Sequence, residues 1–237
     1  MRMAGKEERG RIAAWARQGH VAAQLLHAQA LLDAGDAAGA FAWFGIAAAT
    51  GDAAALNMLG RCHECGWGTP RDDAQAEPLY RRAAAAGLDW AQYNLGGALA
   101  RRGAMAEALR WYRAAAAQGH AKALNMLGRF AEEGWATPRD PAAARDLYRR
   151  AAEGGDFRGA CNHAQALREQ GDRAGAAHWF ARAAATGTLG FRRALAAGLA
   201  GAPEPELRAI ARGIALPAIA NDSQNHYQPN DISVSQA

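Results

Sequence analysis

Apolar and polar positions along the chain fall into alanine-rich blocks of helical length that end at periodic glycines. These glycines are Gly19, Gly51, Gly87, Gly119, Gly155 and Gly187, so a shorter and a longer interval alternate along the chain. Glycine adopts the left-handed conformation that ends many helices without the penalty of a Cβ atom. The pattern therefore predicts that a helix ends at each of these glycines.

Two neighbouring blocks form a double repeat, whose first copy covers 52–119 and whose second copy covers 120–187. Three motifs of this double repeat occur in both copies. In chain order they are ALNMLGR (55–61 and 123–129), GWGTPRD with its relative GWATPRD (66–72 and 134–140) and LYRRAA (79–84 and 147–152). A period of 20 to 50 residues, here the single block, is typical of an array of supersecondary units. Each unit cannot bury its apolar face alone, so neighbours must stack.

Each block is interpreted as a helix, a loop and a second helix. In the longer blocks the first helix is expected at about 53–65 and 121–133. Asp72 and Asp140 stand where a side chain would cap the second helix, and Pro141 follows at a first helical position that needs no N–H donor. The shorter blocks lack four of the loop residues.

The period also divides the chain into parts. The predicted organisation is an N-terminal flanking helix (1–19), five repeats (20–51, 52–87, 88–119, 120–155 and 156–187), C-terminal capping helices (188–216) and a disordered tail (217–237). The last capping helix is expected to start at Pro203 and to reach about Arg212. The tail is assigned as disordered because it is polar and has no period.

Composition agrees with an all-α protein. The chain has 65 alanines and only two valines, so it is rich in the best helix former and poor in β-branched residues. No apolar run reaches the roughly 18 residues that would span a membrane, and the charged N-terminal segment does not resemble a secretory signal. We therefore expect a cytoplasmic protein without a membrane partner.

The repeated motifs resemble those of the Sel1-like repeat family, a relative of the tetratricopeptide repeat. The resemblance rests on A-x-x-x-L-G at 91–96, on Gly66-x-Gly68, and on the pairs Trp111-Tyr112 and Leu147-Tyr148. It extends over about residues 8–215. It implies a right-handed α/α solenoid of helix–loop–helix repeats that mediates protein–protein interaction, often in regulation. The chain departs from the family in alternating full and shortened repeats.

Small residues recur where helices should approach each other closely. They stand nine positions after each glycine: Ala28, Gly60, Gly96, Gly128 and Ala164. Leucine at Gly96 should overpack this contact and cost about 1–3 kcal/mol. Trp43, Trp111 and Trp179 occupy one repeat position and are expected in the core, whereas Trp67 and Trp135 should fold back from the loops over the helix ends.

Cys62 and Cys65 form the one C-x-x-C motif, but no second pair completes a tetrahedral metal site. The position of Cys62 is filled by Phe130 in the next copy, which favours a place in the apolar core. The histidines are dispersed, and no nucleophile–base pair or phosphate-binding loop appears. We therefore expect no metal, no cofactor, no small-molecule substrate and no enzyme activity.

One stripe of the first helices avoids the leucine positions and is expected to be exposed. Asparagine can pair with backbone amides, and arginine can bind carboxylates with its planar guanidinium. The candidate partner-binding residues on this stripe are Asn57, Arg61, Trp90, Tyr93, Lys122, Asn125, Arg129, Arg158 and Gln165. They predict a groove for an extended, acidic peptide or protein segment.

The expected function is that of a non-catalytic scaffold or adaptor. Two alternatives stay open. A helical-repeat RNA binder would need a continuous basic groove, which Glu64, Glu132 and Glu133 interrupt, so nucleic acid is the less favoured partner. A metal or redox sensor would act through Cys62 and Cys65.

Overall fold

The structure, a computed structural model, describes residues 2–215. These residues form thirteen helices and no strand. The helices are α1 (Arg2–Arg17), α2 (Val21–Asp33), α3 (Ala37–Ala48), α4 (Ala53–Cys65), α5 (Asp73–Ala85), α6 (Asp89–Arg101), α7 (Met105–Ala117), α8 (Ala121–Glu133), α9 (Pro141–Glu153), α10 (Phe157–Glu169), α11 (Arg173–Thr186), α12 (Leu189–Leu199) and α13 (Pro205–Ala215). The predicted tail at 217–237 lies outside the described residues.

The helical chain divides into two compact units, one ending at Trp111 and the other beginning at Tyr112, so the boundary falls within α7. In the first unit, consecutive helices from α1 to α6 pack against one another. In the second unit, the same holds for consecutive helices from α8 to α13. Each copy of the double repeat thus supplies its unit with one long helix pair, α4–α5 in the first and α8–α9 in the second, followed by the first helix of a shorter repeat.

The helix ends follow the local chemistry of the sequence. The predicted first helices at 53–65 and 121–133 are confirmed. Asp72 and Asp140 each accept two hydrogen bonds from backbone N–H groups at the start of the next helix, and Pro141 is the first residue of α9. These contacts satisfy donors that have no partner within the helix.

Five of the six periodic glycines have the predicted left-handed backbone, with φ between +84° and +91°: Gly19, Gly51, Gly87, Gly119 and Gly155. The prediction is wrong for Gly187, whose φ of −73° is open to any residue. Glycine is required there for space, because a Cβ atom would overlap the ring of Phe191 at Cδ1.

The core is made of small residues that face aromatic rings. All five small positions nine residues after the glycines are buried. The ring of Tyr80 lies directly over Gly60, where a Cβ atom would come within 2.8 Å of Cε1, and Tyr148 lies over Gly128 in the same way, at 2.5 Å. The close approach of α4 to α5, and of α8 to α9, therefore depends on having glycine, which has no side chain, at these two positions.

The tryptophans at the repeated position lie at the edge of the core rather than inside it. Trp43 and Trp179 are half-buried, and it is the next residue, Phe44 or Phe180, that is fully covered. One residue along a helix turns the side chain by about 100°, which explains the shift. The loop residue Trp67 does fold back, packing against the cluster that contains Cys62.

The C-terminal helix differs from its predicted bounds. It starts at Pro205 and continues to Ala215, so Pro203 precedes it. Arg208 reaches back from this helix and donates to the carbonyl oxygens of Ala202 and Pro203. Leu207 is buried in the cluster formed with α10, α11 and α12.

Candidate functional site

The first helices of each unit are joined by a pair of asparagines. In the first unit, Nδ2 of Asn94 in α6 donates to Oδ1 of Asn57 in α4 at 2.9 Å. In the second unit, Asn162 of α10 donates in the same way to Asn125 of α8 at 2.8 Å. Both bonds have the same sequence separation, so they fix the same register between a long repeat and the shorter repeat that follows.

A buried carboxylate lies near the C-terminal end of α4. The Glu64 side chain is only 6% exposed and accepts a hydrogen bond from the hydroxyl of Tyr80 at 2.6 Å. Arg101 of α6 forms an ion pair with the same carboxylate. Burial and the adjacent Glu64 carboxylate raise the pKa of Tyr80 well above its usual value, so the hydroxyl stays protonated and acts as the donor.

The second copy repeats the hydroxyl–carboxylate bond without the arginine. Tyr148 donates to Glu132 at 2.6 Å, but Glu132 is exposed to solvent. The position that corresponds to Arg101 is held by Glu169, which accepts a hydrogen bond from Gln165. Solvent therefore stabilises the charge of the Glu132 carboxylate, whereas Arg101 compensates the charge of the buried Glu64 carboxylate.

An arginine stacks on the loop tryptophan in both copies. The guanidinium of Arg61 lies 4.8 Å from the ring centroid of Trp67, and that of Arg129 lies 5.2 Å from the ring centroid of Trp135. A guanidinium that stacks on a ring keeps its N–H donors in its own plane, directed outwards. Arg61 directs one of these donors to the sulfur of Met58, a weak acceptor, at 3.8 Å. Both arginines thus combine a fixed position with donors that a stronger acceptor can engage.

The structure corrects the expectation that the whole first-helix stripe is exposed. Asn57, Tyr93 and Asn125 are buried, with exposures of 6%, 8% and 4%. Helical periodicity places all three on one face of their helices, but α6 covers Asn57 and α10 covers Asn125 through the asparagine pairs. Asn57 and Asn125 therefore hold helices together through their amides.

The other stripe residues reach the surface. Trp90 is 46% exposed at the first turn of α6, and Gln165 is exposed on α10. The half-buried members are Arg61, Lys122, Arg129 and Arg158. Arg158 also lies over the ring of Phe157, with its guanidinium carbon 4.7 Å from the centroid. Each unit consequently has its own partly exposed first-helix face, with α4 and α6 in one and α8 and α10 in the other.

The cysteines have a structural environment. Cys62 is completely buried with Ala28, Ala40 and Phe44, as the comparison of the two copies predicted. Burial raises the pKa of Cys62 to about 12 and that of Cys65 to about 11. Within residues 2–215, histidine, cysteine and acidic side chains form no cluster of three or more that could hold a metal ion.

Several important residues were missed in the sequence. Asn94, Asn162 and Arg101 make the contacts between first helices, yet they lie outside the stripe that periodicity selected. One signal was available, because Glu64 and Tyr80 recur at the equivalent positions of the second copy as Glu132 and Tyr148. No signal in the spacing could have identified Arg101, since its counterpart is a glutamate.

Comparison with family models gives a match to the Sel1 repeat at residues 53–88, 91–120, 121–156 and 166–187. Together these segments make up more than half of the chain. No curated protein sequence matches the chain. Among the described residues, none of the helices combines the length and the apolar character needed to cross a bilayer.

Solved structures show the same fold. A Sel1 repeat protein from Oxalobacter formigenes aligns with a TM-score of 0.69 and 22% identity, covering 83% of this chain and 87% of that one. The protein c5321, a protective antigen of uropathogenic Escherichia coli strains with an SLR fold, aligns with a TM-score of 0.67 and 28% identity. The alignment covers 87% of this chain but 48% of c5321, so the chain spans about half the length of that protein. The predicted all-α repeat fold is confirmed.

Proposed function

The chain belongs to the Sel1 repeat family, and on that basis we propose that it is a non-catalytic scaffold whose first-helix faces bind an acidic segment of a partner protein. Sel1 repeats commonly serve as protein-interaction scaffolds. Each unit would provide one such face, built on α4 and α6 or on α8 and α10. The adaptor role, the regulatory role and the cytoplasmic location remain predictions.

The observation that carries this proposal is the stacked arginine in both copies. The guanidinium carbons of Arg61 and Arg129 lie 4.8 and 5.2 Å from the centroids of tryptophan rings, and this contact restricts the position of both groups. A planar guanidinium fixed in this way suits a carboxylate, which it can bind with two parallel hydrogen bonds. The chain presents this arrangement twice, at corresponding positions.

The neighbouring side chains favour a protein segment over a small ion. Trp90 offers a large, partly exposed aromatic surface on α6, the kind of side chain that dominates binding energy at protein interfaces. Lys122 and Arg158 add positive charge at the corresponding position of α8 and α10. Asn57 and Asn125 support these faces from beneath and are not proposed to touch the partner.

The two alternatives receive less support. A redox sensor needs a thiolate near neutral pH, whereas Cys62 and Cys65 have raised pKa values of about 12 and 11. An RNA-binding groove should be continuously basic, but Glu132 and Glu133 are exposed on α8. A salt-dependent shift of bulk RNA on a native gel would revive the second alternative.

Site-specific photo-crosslinking in cells tests the proposal. A photoreactive amino acid at Trp90 or Gln165 should capture a partner, whereas the same group at Arg82 or Arg150 on the second helices should not. The captured partner is then titrated with Arg61→Glu/Arg129→Glu and with the control Arg82→Glu/Arg150→Glu. Both double variants change the charge equally at equivalent positions of the two copies, and both control residues are exposed.

We expect the first double variant to weaken binding by at least about tenfold, the loss of one or two charge-assisted hydrogen bonds, and the control to leave the affinity unchanged. Capture only from the second-helix positions, or equal loss of affinity in both variants, would contradict the proposal.

A further inference from the structure

A network of four charged side chains joins α5, the residue that follows α6, and α7. Arg81 pairs with Glu77 at 2.9 Å and with Glu107 of α7 at 2.5 Å. Arg102 pairs with the same two carboxylates at 3.3 and 3.9 Å. Two carboxylates thus lie between two guanidinium groups, and the four charges balance.

The second copy has neither of these two carboxylates. At the equivalent positions of the second copy, Glu77 becomes Arg145 and Glu107 becomes Gly175. Arg81 is retained as Arg149, and Arg102 becomes Gln170. The balanced network of the first unit is replaced by two arginines and an amide, all of which can donate hydrogen bonds.

A cleft of about 270 Å³ opens at this place in the second unit. Its walls are formed by Arg145, Asp146, Arg149, His163, Ala166, Leu167 and Gln170. Asp146 is already engaged by Arg149 at 2.6 Å, and Arg149 also pairs with Glu153. Arg145 forms no ion pair or side-chain hydrogen bond with any residue in the part of the chain described.

The charges around the cleft favour an anion. Arg145 and Arg149 are four residues apart on one face of α9, a spacing at which like charges repel. In the first copy this repulsion does not arise, because a glutamate at position 77 pairs with Arg81 four residues later. A carboxylate in the cleft would reduce this repulsion in the second copy, where the protein's own carboxylates, Asp146 and Glu153, are both engaged by Arg149.

The wall of the cleft that α10 forms also differs from the first copy. Leu95 is replaced by His163, whose ring stacks edge-on against Trp179 with centroids 5.3 Å apart. Burial lowers the pKa of His163, so the ring is neutral at physiological pH and adds a polar but uncharged surface. Its contact with Trp179 places an indole N–H group, which NMR can follow, next to the cleft wall.

We propose that the cleft between α9 and α10 is a binding site for a carboxylate group, which occupies the place that the Glu77 carboxylate holds in the first unit. Arg145 is its main ligand, and Gln170 donates from the opposite wall. The carboxylate belongs either to a free dicarboxylate or to an acidic side chain of a bound segment. This site is distinct from the first-helix face and does not depend on it.

Titration of the full chain with glutarate tests the site, followed by the indole N–H NMR signal of Trp179 and by the backbone NMR signals of 145–149 and 163–170. Sodium chloride at equal ionic strength serves as the screening control. We expect a saturable response with glutarate that Arg145→Ala weakens at least tenfold. Arg193→Ala removes another exposed positive charge, far from the cleft in sequence, and should leave the response unchanged.

A second variant pair separates binding from folding. Arg145→Glu with Gln170→Arg rebuilds part of the first copy's network and should abolish the response while the circular dichroism spectrum and melting temperature are kept. A blocked triglutamate peptide is titrated in parallel, and the tighter of the two ligands identifies the source of the carboxylate. No saturable response to either ligand, or an equal loss in Arg145→Ala and Arg193→Ala, would overturn the proposal.

Discussion

The two copies of the long repeat, α4–α5 and α8–α9, make the same packing contacts but differ in their charged side chains. Both place a glycine under a tyrosine ring, bond that tyrosine to a glutamate, and stack an arginine on a loop tryptophan. Only the first copy neutralises its glutamate with Arg101 and has the network of Arg81, Arg102, Glu77 and Glu107. The shared contacts build the fold, and the unshared charges distinguish the surfaces of the two copies.

The largest expected effect comes from removing the arginine that only the first copy has. Arg101→Met leaves the buried Glu64 carboxylate without its counter-ion, and this should cost about 2–4 kcal/mol of unfolding free energy. The matched variant in the second copy is Glu169→Met, at an exposed position, and it should stay within about 0.5 kcal/mol of the parent. Urea denaturation measures both. Equal losses would mean that burial of Glu64 is not what separates the copies.

The shared glycine–tyrosine contact should give losses of similar size in both copies. Gly60→Ala and Gly128→Ala each force a methyl group against a tyrosine ring, at 2.8 and 2.5 Å, and should cost about 1–3 kcal/mol, with the larger loss at Gly128. Gly45→Ala in α3 is the control, because no atom lies within 4 Å of the added methyl group. It should stabilise the helix by about 0.5–1 kcal/mol. Thermal denaturation distinguishes the three, and stabilisation at Gly60 would refute the packing.

A smaller contrast lies in the loops. Ala136 has a φ of +53°, whereas its counterpart in the first copy is Gly68. Ala136→Gly should relieve this strain and raise stability by about 0.5–1 kcal/mol. Gly68→Ala should do the opposite, because the new Cβ atom would overlap the carbonyl oxygen of Ala37. A loss of stability in Ala136→Gly would show that the positive φ carries no cost.

The smallest effect concerns pH. The pKa of His163 is lowered from 6.5 by burial, so the unfolded chain binds the proton more readily than the folded one. The stability linked to this group is therefore present above pH 6.5 and is lost as the pH falls towards the lowered value. His163→Leu, which copies Leu95, should remove that part of the pH dependence. An unchanged difference in melting temperature between pH 7.5 and 5.5 would contradict this assignment.

The fold could be predicted from the sequence because the residues that end and cap the helices act locally. Periodic glycines and capping aspartates such as Asp72 act within one turn of backbone, so helix bounds could be placed to within a few residues. Gly187 was assigned correctly as a helix end but for the wrong reason, since its role depends on the ring of Phe191.

The candidate site was predicted less well because its contacts lie between helices. Helical periodicity selects a face but does not reveal which part of it a neighbouring helix covers. Asn57 and Asn125 were therefore expected at the surface, although Asn94 and Asn162 bury them. Arg101 could be identified only from its ion pair with Glu64, and Arg145 only from its place in the cleft.

Hydrogen exchange with and without the captured partner tests most directly whether the first-helix faces bind it. The proposal predicts slower exchange in the segments around Arg61 and Trp67 and around Arg129 and Trp135, together with the first turn of α6. The second helices α5 and α9 should exchange as they do in the free chain. Protection confined to α5 and α9, with no change in α4, α6 and α8, would contradict it.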